Sequence, residues 1–138
     1  MTTIIRELTR LVRGKTIRDA EVKAPKLVKP LTVVRFRRAV AGMRFLGFER
    51  RAKFVIAYLG TGAGPPRTAT WALLWHMGMT GHPLYRDPAA ERRSPALLKA
   101  MADPMNQHVR VPFRFTDGTR LECADIRKFG KLELVPPS

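Results

Sequence analysis

The sequence has one cysteine, few acidic residues and no long apolar run, and each shortage excludes a class of protein. Cys123 alone cannot form an intrachain disulfide or a zinc site made of several cysteines. No apolar run could span a bilayer, and the N-terminal residues lack the apolar core of a signal peptide. The three histidines lack the spacing of a metal site. We therefore expect a cytoplasmic protein without membrane partner, metal ligand or cofactor in this chain.

The shortage of acidic residues leaves a strongly basic chain. Its 138 residues contain 26 Lys and Arg but 11 Asp and Glu, which gives a net charge of +15. Such a balance favours phosphate backbones or anionic membranes as partners, whereas a merely solvated surface usually mixes the two signs more evenly. The length and the 45% apolar content suit one globular domain. The composition predicts nucleic-acid binding.

The spacing of the apolar residues predicts one helix followed mainly by strands. Ile4, Ile5, Leu8, Leu11 and Val12 have the spacing of an amphipathic helix, which we place over residues 3–13. A second, short helix is predicted over residues 32–40. The remaining apolar segments predict strands over residues 17–22, 43–48, 54–58, 70–77, 109–115, 120–124 and 131–135.

The connections between the predicted strands carry their own signals. Asp117-Gly118 supplies the positive φ values of a tight turn, so 109–115 and 120–124 are predicted to form a hairpin. The basic stretch 49–53 is expected to interrupt the strands around it. The stretch 82–104 is polar, contains four prolines and is expected to hold at most a short helix at 96–101.

These elements predict the fold class. We expect a single domain over residues 1–138 of the α+β class, mainly β. It should be an antiparallel β-sandwich over 16–135, flanked by the N-terminal helix and one or two short helices. Cys123 is expected to be a small buried side chain on a strand.

Three short segments carry side chains suited to nucleic acid. Arg50, Arg51 and Lys53 could hold phosphates, although a solvated charge run explains an isolated cluster equally well. Met79 and Phe129 lie beside glycines, where core packing is the commoner explanation for either residue alone. Side chains of this type also insert between bases in proteins that unstack or flip them.

The order of the motifs resembles one family. In chain order they are Arg-Arg-Ala-Lys at 50–53, His-Met-Gly-Met-Thr-Gly at 76–81, Asn-Gln-His-Val at 106–109, the Asp-Gly hairpin and Asp-Ile-Arg-Lys-Phe-Gly at 125–130. This order is similar to the N-terminal domain of formamidopyrimidine-DNA glycosylase and its endonuclease VIII relatives. The resemblance covers nearly the whole chain, apart from 23–40 and 82–105.

The resemblance implies a function in DNA base excision repair. Members excise oxidised purines such as 8-oxoguanine and formamidopyrimidines and then cleave the strand by β,δ-elimination. The implied partner is double-stranded DNA with an oxidised base or an abasic site. A monomer associated with the bacterial nucleoid is the corresponding expectation.

The resemblance also implies roles for individual residues. Lys53 matches a lysine that contacts phosphate at the lesion and assists elimination. Met79, Arg127 and Phe129 match the residues that fill the gap left by an everted base, with Arg127 pairing to the orphaned base. Three further positions are implied to contact DNA, namely Arg51, Lys128 and Asn106; at Asn106 many members carry a histidine.

The first residues depart from the family pattern. Members begin with a proline, whose amine attacks the sugar C1′, followed by a glutamate that acts as acid and base. This chain begins Met1-Thr2-Thr3, and Thr3 aligns inside the first helix. The amine of Thr2 would be displaced by roughly 9 Å of helical rise, so we expect no substitute nucleophile.

The other end of the sequence departs from the pattern too. In the family a helix–two-turn–helix domain and a zinc finger follow, and neither is expected in these 138 residues. The sequence therefore predicts a catalytically incomplete glycosylase domain. A non-enzymatic module for damaged DNA and an unrelated basic RNA-binding protein are the alternatives.

Overall fold

A computed structural model describes residues 2–23, 25–28, 31–52, 54–62, 64–76, 81–87, 109–125 and 131–136. Its helices are α1 (Thr2–Val12) and α2 (Val33–Val40), with short 3₁₀ turns at Pro25–Val28 and Pro66–Thr68. Its strands are β1 (Ile17–Ala20), β2 (Arg44–Arg51), β3 (Phe54–Gly60), β4 (Trp71–His76), β5 (Gly81–Arg86), β6 (Val109–Phe115), β7 (Arg120–Asp125) and β8 (Lys131–Val135).

The strands form two four-stranded antiparallel sheets. Sheet I has the order β1-β6-β7-β5 and sheet II the order β2-β3-β4-β8. Among the described strands, the chain changes sheet between β1 and β2, between β4 and β5, and between β7 and β8. This arrangement confirms the predicted fold class, a mainly β domain with two antiparallel sheets and flanking helices.

An aromatic cluster joins the two sheets inside the sandwich. The ring of Phe45 in sheet II lies 5.9 Å from that of Phe113 and 5.8 Å from that of Phe115, both in sheet I and both edge-on. Phe48 stacks on Phe45 at 5.4 Å. Phe45 and Phe48 share the inner face because an extra residue, Leu46, shifts the β2–β3 register between them. The core therefore depends on contacts between the sheets.

Specific residues define one end of each helix, Thr32 at the start of α2 and Gly14 after the end of α1. The Thr32 side chain accepts a hydrogen bond of 3.2 Å from the Arg35 amide and caps the start of α2. Helix α1 stops at Gly14, which has a φ of 87° and donates its amide to the Phe45 carbonyl at 2.8 Å. Leu8 and Val12 of α1 are buried in the core, as the helical spacing predicted.

Two sequence expectations about strands were wrong. Strand β2 is not interrupted at 49–51, since these residues pair with Ile56, Val55 and Phe54 of β3. The turn between the strands includes Ala52 at a φ of 50°, so a two-residue connection suffices. Strand β5 was not predicted at all because it contains Pro83. An edge strand tolerates proline, and β5 lies at the edge of sheet I.

Other expectations were confirmed with shifted bounds or fall outside the described residues. Strand β1 ends at Ala20 rather than at 22, whereas β8 has the predicted bounds. The helix expected at 96–101 lies outside the described residues. Within the described ranges, no helix is long and apolar enough to cross a bilayer, and no group of three His, Cys, Asp or Glu could hold a metal.

The turn between β6 and β7 gives a pH-dependent contribution to stability. Burial opposes ionisation of Asp117, but hydrogen bonds from Lys15 and Thr119 lower its pKa to about 2. A depressed carboxyl pKa stabilises the fold above the unfolded pKa, near 4, and this stabilisation is lost as the pH falls toward 2.

Asp117→Asn is expected to lower the free energy of unfolding by up to about 1 kcal/mol at pH 7, since the pair is partly exposed and screened. The difference from the parent chain should shrink between pH 4 and pH 2. Urea unfolding at pH 2, 4 and 7 measures it. A difference that is as large at pH 2 as at pH 7 would contradict this assignment.

Candidate nucleic-acid interface

At one end of the sandwich, two strands of sheet II end and the other two begin. Arg51, the last residue of β2, pairs with Phe54, the first of β3. Phe54 pairs with His76 at the end of β4, and His76 pairs with Lys131 at the start of β8. These four residues form a row across the sheet, which marks what we call the crossover end.

Sheet I contributes strand ends to the same region. Gly81 at the start of β5 pairs with Asp125 at the end of β7, and Val109 at the start of β6 pairs with Ala124. Five residue steps join His76 to Gly81, and six join Asp125 to Lys131, so even extended chain spans at most about 18 and 22 Å there. The changes of sheet between β4 and β5 and between β7 and β8 therefore occur at the crossover end.

The described strand ends nearest to the predicted site residues lie at the crossover end. Of these residues, only Arg51 is described; Lys53, Met79, Asn106, Arg127, Lys128 and Phe129 lie outside the described residues. In the sequence, 53 falls between β2 and β3, 79 between β4 and β5, and 127–129 between β7 and β8, whereas 106 lies three residues before β6. The described strand ends next to these positions all lie at the crossover end.

The described part of the β2–β3 turn is basic and exposed. The Arg51 side chain is 72% exposed, and its Nε lies 3.5 Å from Oε1 of Glu49. Nε of Arg50 donates a 3.2 Å hydrogen bond to the Ala52 carbonyl. An exposed ion pair of this length contributes little free energy, so Arg51 can exchange it for a phosphate contact.

Beside this turn, the outer face of sheet II carries groups that the sequence reasoning missed. The Tyr58 hydroxyl donates to Oε1 of Glu49, and this bond, aided by burial, raises the pKa of Tyr58. The ring of Phe54, 37% exposed, meets the His76 ring edge-on at 5.2 Å. The alternation of residues 54, 56 and 58 was the available signal, since it places their side chains on one face.

A groove of about 310 Å³ follows this outer face. Its lining includes Arg51 together with Phe54, Ile56, Tyr58 and Leu74. The groove places a cation next to an apolar, aromatic surface. That combination suits a partner with negative charge and flat rings, as in nucleic acid.

The fold and this end define the class as a basic, helix-flanked antiparallel β-sandwich domain. Residues 1–132 match the family described as formamidopyrimidine-DNA glycosylase N-terminal domain. The chain belongs to this family, which confirms the resemblance inferred from its motifs.

Curated relatives agree. Formamidopyrimidine-DNA glycosylase of Bacillus subtilis (strain 168) is 34% identical over 98% of this chain, and that of Enterococcus faecalis (strain ATCC 700802 / V583) is 34% identical over 97%. The chain spans 41% and 40% of the length of these two proteins.

Solved structures show the same fold. Lactococcus lactis formamidopyrimidine-DNA glycosylase, bound non-covalently to DNA with an abasic site, superposes with a TM-score of 0.73 at 24% identity. MutM in complex with DNA containing carbocyclic 8-oxoguanine gives 0.74, also at 24% identity. Each match covers 98% of this chain and 43% of the chain in the solved structure.

Proposed function

We propose that this domain binds duplex DNA at the crossover end and serves base excision repair as the sandwich domain of a glycosylase for oxidised purines. The observation that carries the proposal is the strand register. It aligns Arg51, Phe54, His76 and Lys131 in one row across sheet II, at the same end as the strand ends of sheet I next to the other motifs. Membership of the family and the net charge of +15 support the same partner.

The predicted DNA-binding residues at this end fall into two groups, which differ in side-chain chemistry. Cations at Arg51, Lys53 and Lys128 suit phosphates, which fix the position of the protein on DNA without reading sequence. Asn106 can hydrogen-bond the backbone from the approach to β6. These contacts would supply most of the affinity and make it sensitive to salt.

Damage would be sensed by the side chains that insert. Met79 and Phe129 can occupy the space of an everted or missing base, and Arg127 can hydrogen-bond the base left without a partner. Lys53 would assist elimination next to the lesion phosphate. The family resemblance assigns neither the nucleophile nor the acid/base group to a residue of this chain, and we assign none.

The double substitution Arg127→Ala/Phe129→Ala tests the proposal. It should weaken binding of a duplex with an abasic-site analogue by about 10-fold or more, because base stacking and base pairing by such side chains each contribute about 1–3 kcal/mol. Binding of the intact duplex should weaken by no more than about 3-fold, the loss expected for one phosphate charge. Fluorescence anisotropy at one fixed salt concentration measures both affinities.

Val34→Ala/Arg35→Ala is the matched control. It removes one cation and one apolar side chain from the exposed face of α2, where Val34 is 58% exposed. It should reduce binding of the two duplexes by the same small factor. If the Arg127/Phe129 variant also loses equal affinity for both, plain electrostatics explains binding and the wedge role is wrong.

A further inference from the structure

The basic surface of the domain is unevenly compensated by acids. On the outer face of sheet I, Arg114 lies 3.5 Å from Asp19 and 3.0 Å from Glu21. Arg86 and Arg120 on the same face approach Glu122 at 3.1 and 3.7 Å. The arginines on this face are therefore neutralised by ion pairs. The net positive charge of the chain comes from basic residues on other surfaces.

An open cleft of about 460 Å³ contains uncompensated charge. It is formed where α1 ends, β2 begins and the β3–β4 connection passes, and its lining includes Arg13, Gly14, Arg44, Gly64 and Pro65. In the described part of the chain, neither arginine has an acidic partner. Asp117, the acid of the β6–β7 turn, is instead engaged by Lys15 and Thr119.

The backbone fixes both arginines in place. Arg13 immediately precedes Gly14, whose amide bonds to the Phe45 carbonyl at 2.8 Å. Arg44 pairs with Gly60 on one side and with Thr16 on the other. Two guanidinium groups on a fixed backbone suit phosphate, because the planar fork of each group can donate two hydrogen bonds to phosphate oxygens.

The cleft lies at the end of the sandwich opposite the crossover end. Strand β2 runs from Arg44 at the cleft to Arg51 at the crossover end, seven steps of about 3.3 Å each, or about 23 Å. The β6–β7 turn confirms the location, since Thr116 donates its amide to Thr16 at 3.0 Å and Thr16 pairs with Arg44. The two basic sites therefore lie at opposite ends of the sandwich.

A duplex that lies across the crossover end does not reach the cleft, because the length of β2, about 23 Å, separates the two. DNA is stiff over 150 base pairs, and bending a short site by 90° costs several kcal/mol. A duplex held at the crossover end would have to bend along the sandwich to reach the cleft. A second duplex segment meets no such cost.

We propose that the Arg13–Arg44 cleft binds the phosphate backbone of a second DNA segment while the first is held at the crossover end. The inference rests on DNA binding at the crossover end, as proposed above. A protein with two such sites passes directly from one duplex to another through a bridged intermediate. The cleft would therefore serve transfer between segments and not recognition of damage.

Competitor-dependent dissociation tests the cleft. The chain is bound to a labelled 25-base-pair duplex and chased with increasing concentrations of unlabelled duplex, and stopped-flow anisotropy gives the dissociation rate. For the parent chain the rate should rise with competitor concentration. For Arg13→Gln/Arg44→Gln it should change less than about 2-fold over a 100-fold range, since release must then precede rebinding. Equilibrium preference for the abasic duplex should persist.

Arg35→Gln/Arg38→Gln is the control, because it removes the same charge from the exposed surface of α2. It should retain the rise with competitor. An equal loss in both variants, or a parent rate that is independent of competitor, would overturn the proposal. Loss of abasic preference in the parent chain, by contrast, would count against the function proposed for the crossover end.

Amide chemical shifts of the parent chain test the cleft without substitution. Saturating intact duplex should shift the Gly14 and Gly64 amides in addition to signals of the crossover end. Pyrophosphate serves as the comparison probe. If pyrophosphate shifts these amides and an excess of duplex does not, the cleft binds free phosphates and the proposal is wrong.

Discussion

Phe45→Ala is expected to lower the free energy of unfolding by about 4 kcal/mol, the middle of the range for buried phenylalanines. Phe45 is 1% exposed and its ring contacts Phe48, Phe113 and Phe115. Truncation removes three aromatic contacts at once and leaves a cavity between two sheets, each held rigid by its own hydrogen bonds. Urea unfolding followed by circular dichroism measures the loss.

Two further variants separate packing from hydrophobicity. Phe45→Leu retains much of the volume and should cost about half as much or less. Phe54→Ala removes the same ring from a position that is 37% exposed and should cost about 1 kcal/mol. Similar losses for Phe45→Ala and Phe54→Ala would show that the aromatic cluster does not hold the sheets together.

The position of this cluster links stability to binding. Phe45 in sheet II touches Phe113 and Phe115 in sheet I, so the cluster sets how the sheets lie against each other. The crossover end consists of strand ends from both sheets. A domain with a stability of about 5–15 kcal/mol would lose a large fraction of it with Phe45, and DNA binding should decline with the folded population.

Local sequence signals predicted those elements whose residue pattern does not depend on contacts with distant parts of the chain. The spacing of Leu8 and Val12 indicated α1, and Asp117-Gly118 indicated the β6–β7 hairpin; both were confirmed. Strand β5 could not be predicted in this way. Pro83 argues against a strand unless it lies at a sheet edge, and the strand order that places it there is set by tertiary contacts.

The candidate site, too, could be predicted only in part from local sequence signals. Motif order indicated the segments around Lys53, Met79 and Arg127, but their convergence depends on pairings such as Phe54 with His76 and His76 with Lys131. The register of antiparallel strands from distant segments cannot be read from a single sequence. No sequence motif indicates the Arg13–Arg44 cleft, because the helix, the strand and the loop that form it each have an ordinary sequence.

Glu122→Ala is expected to lower the free energy of unfolding by about 3 kcal/mol. Its side chain is only 5% exposed and lies between Arg86 and Arg120. Removal of one member of a buried ion pair costs about 3–5 kcal/mol, and the partial exposure of the arginines places the effect at the lower end. Urea unfolding at low and high salt provides the measurement.

The register explains why this carboxylate has so large an effect. Arg120 pairs directly with Arg114 of β6 and with Arg86 of β5, so three guanidinium groups form a row across sheet I. Like charges opposite each other on neighbouring strands repel, and Glu122 supplies a compensating charge for Arg86 and Arg120. Added salt should therefore recover part of the stability lost in Glu122→Ala.

Glu7→Ala, which breaks the exposed pair with Arg10, should cost at most about 0.5 kcal/mol. Equal losses for the two substitutions would mean that the arginine row is stabilised without Glu122.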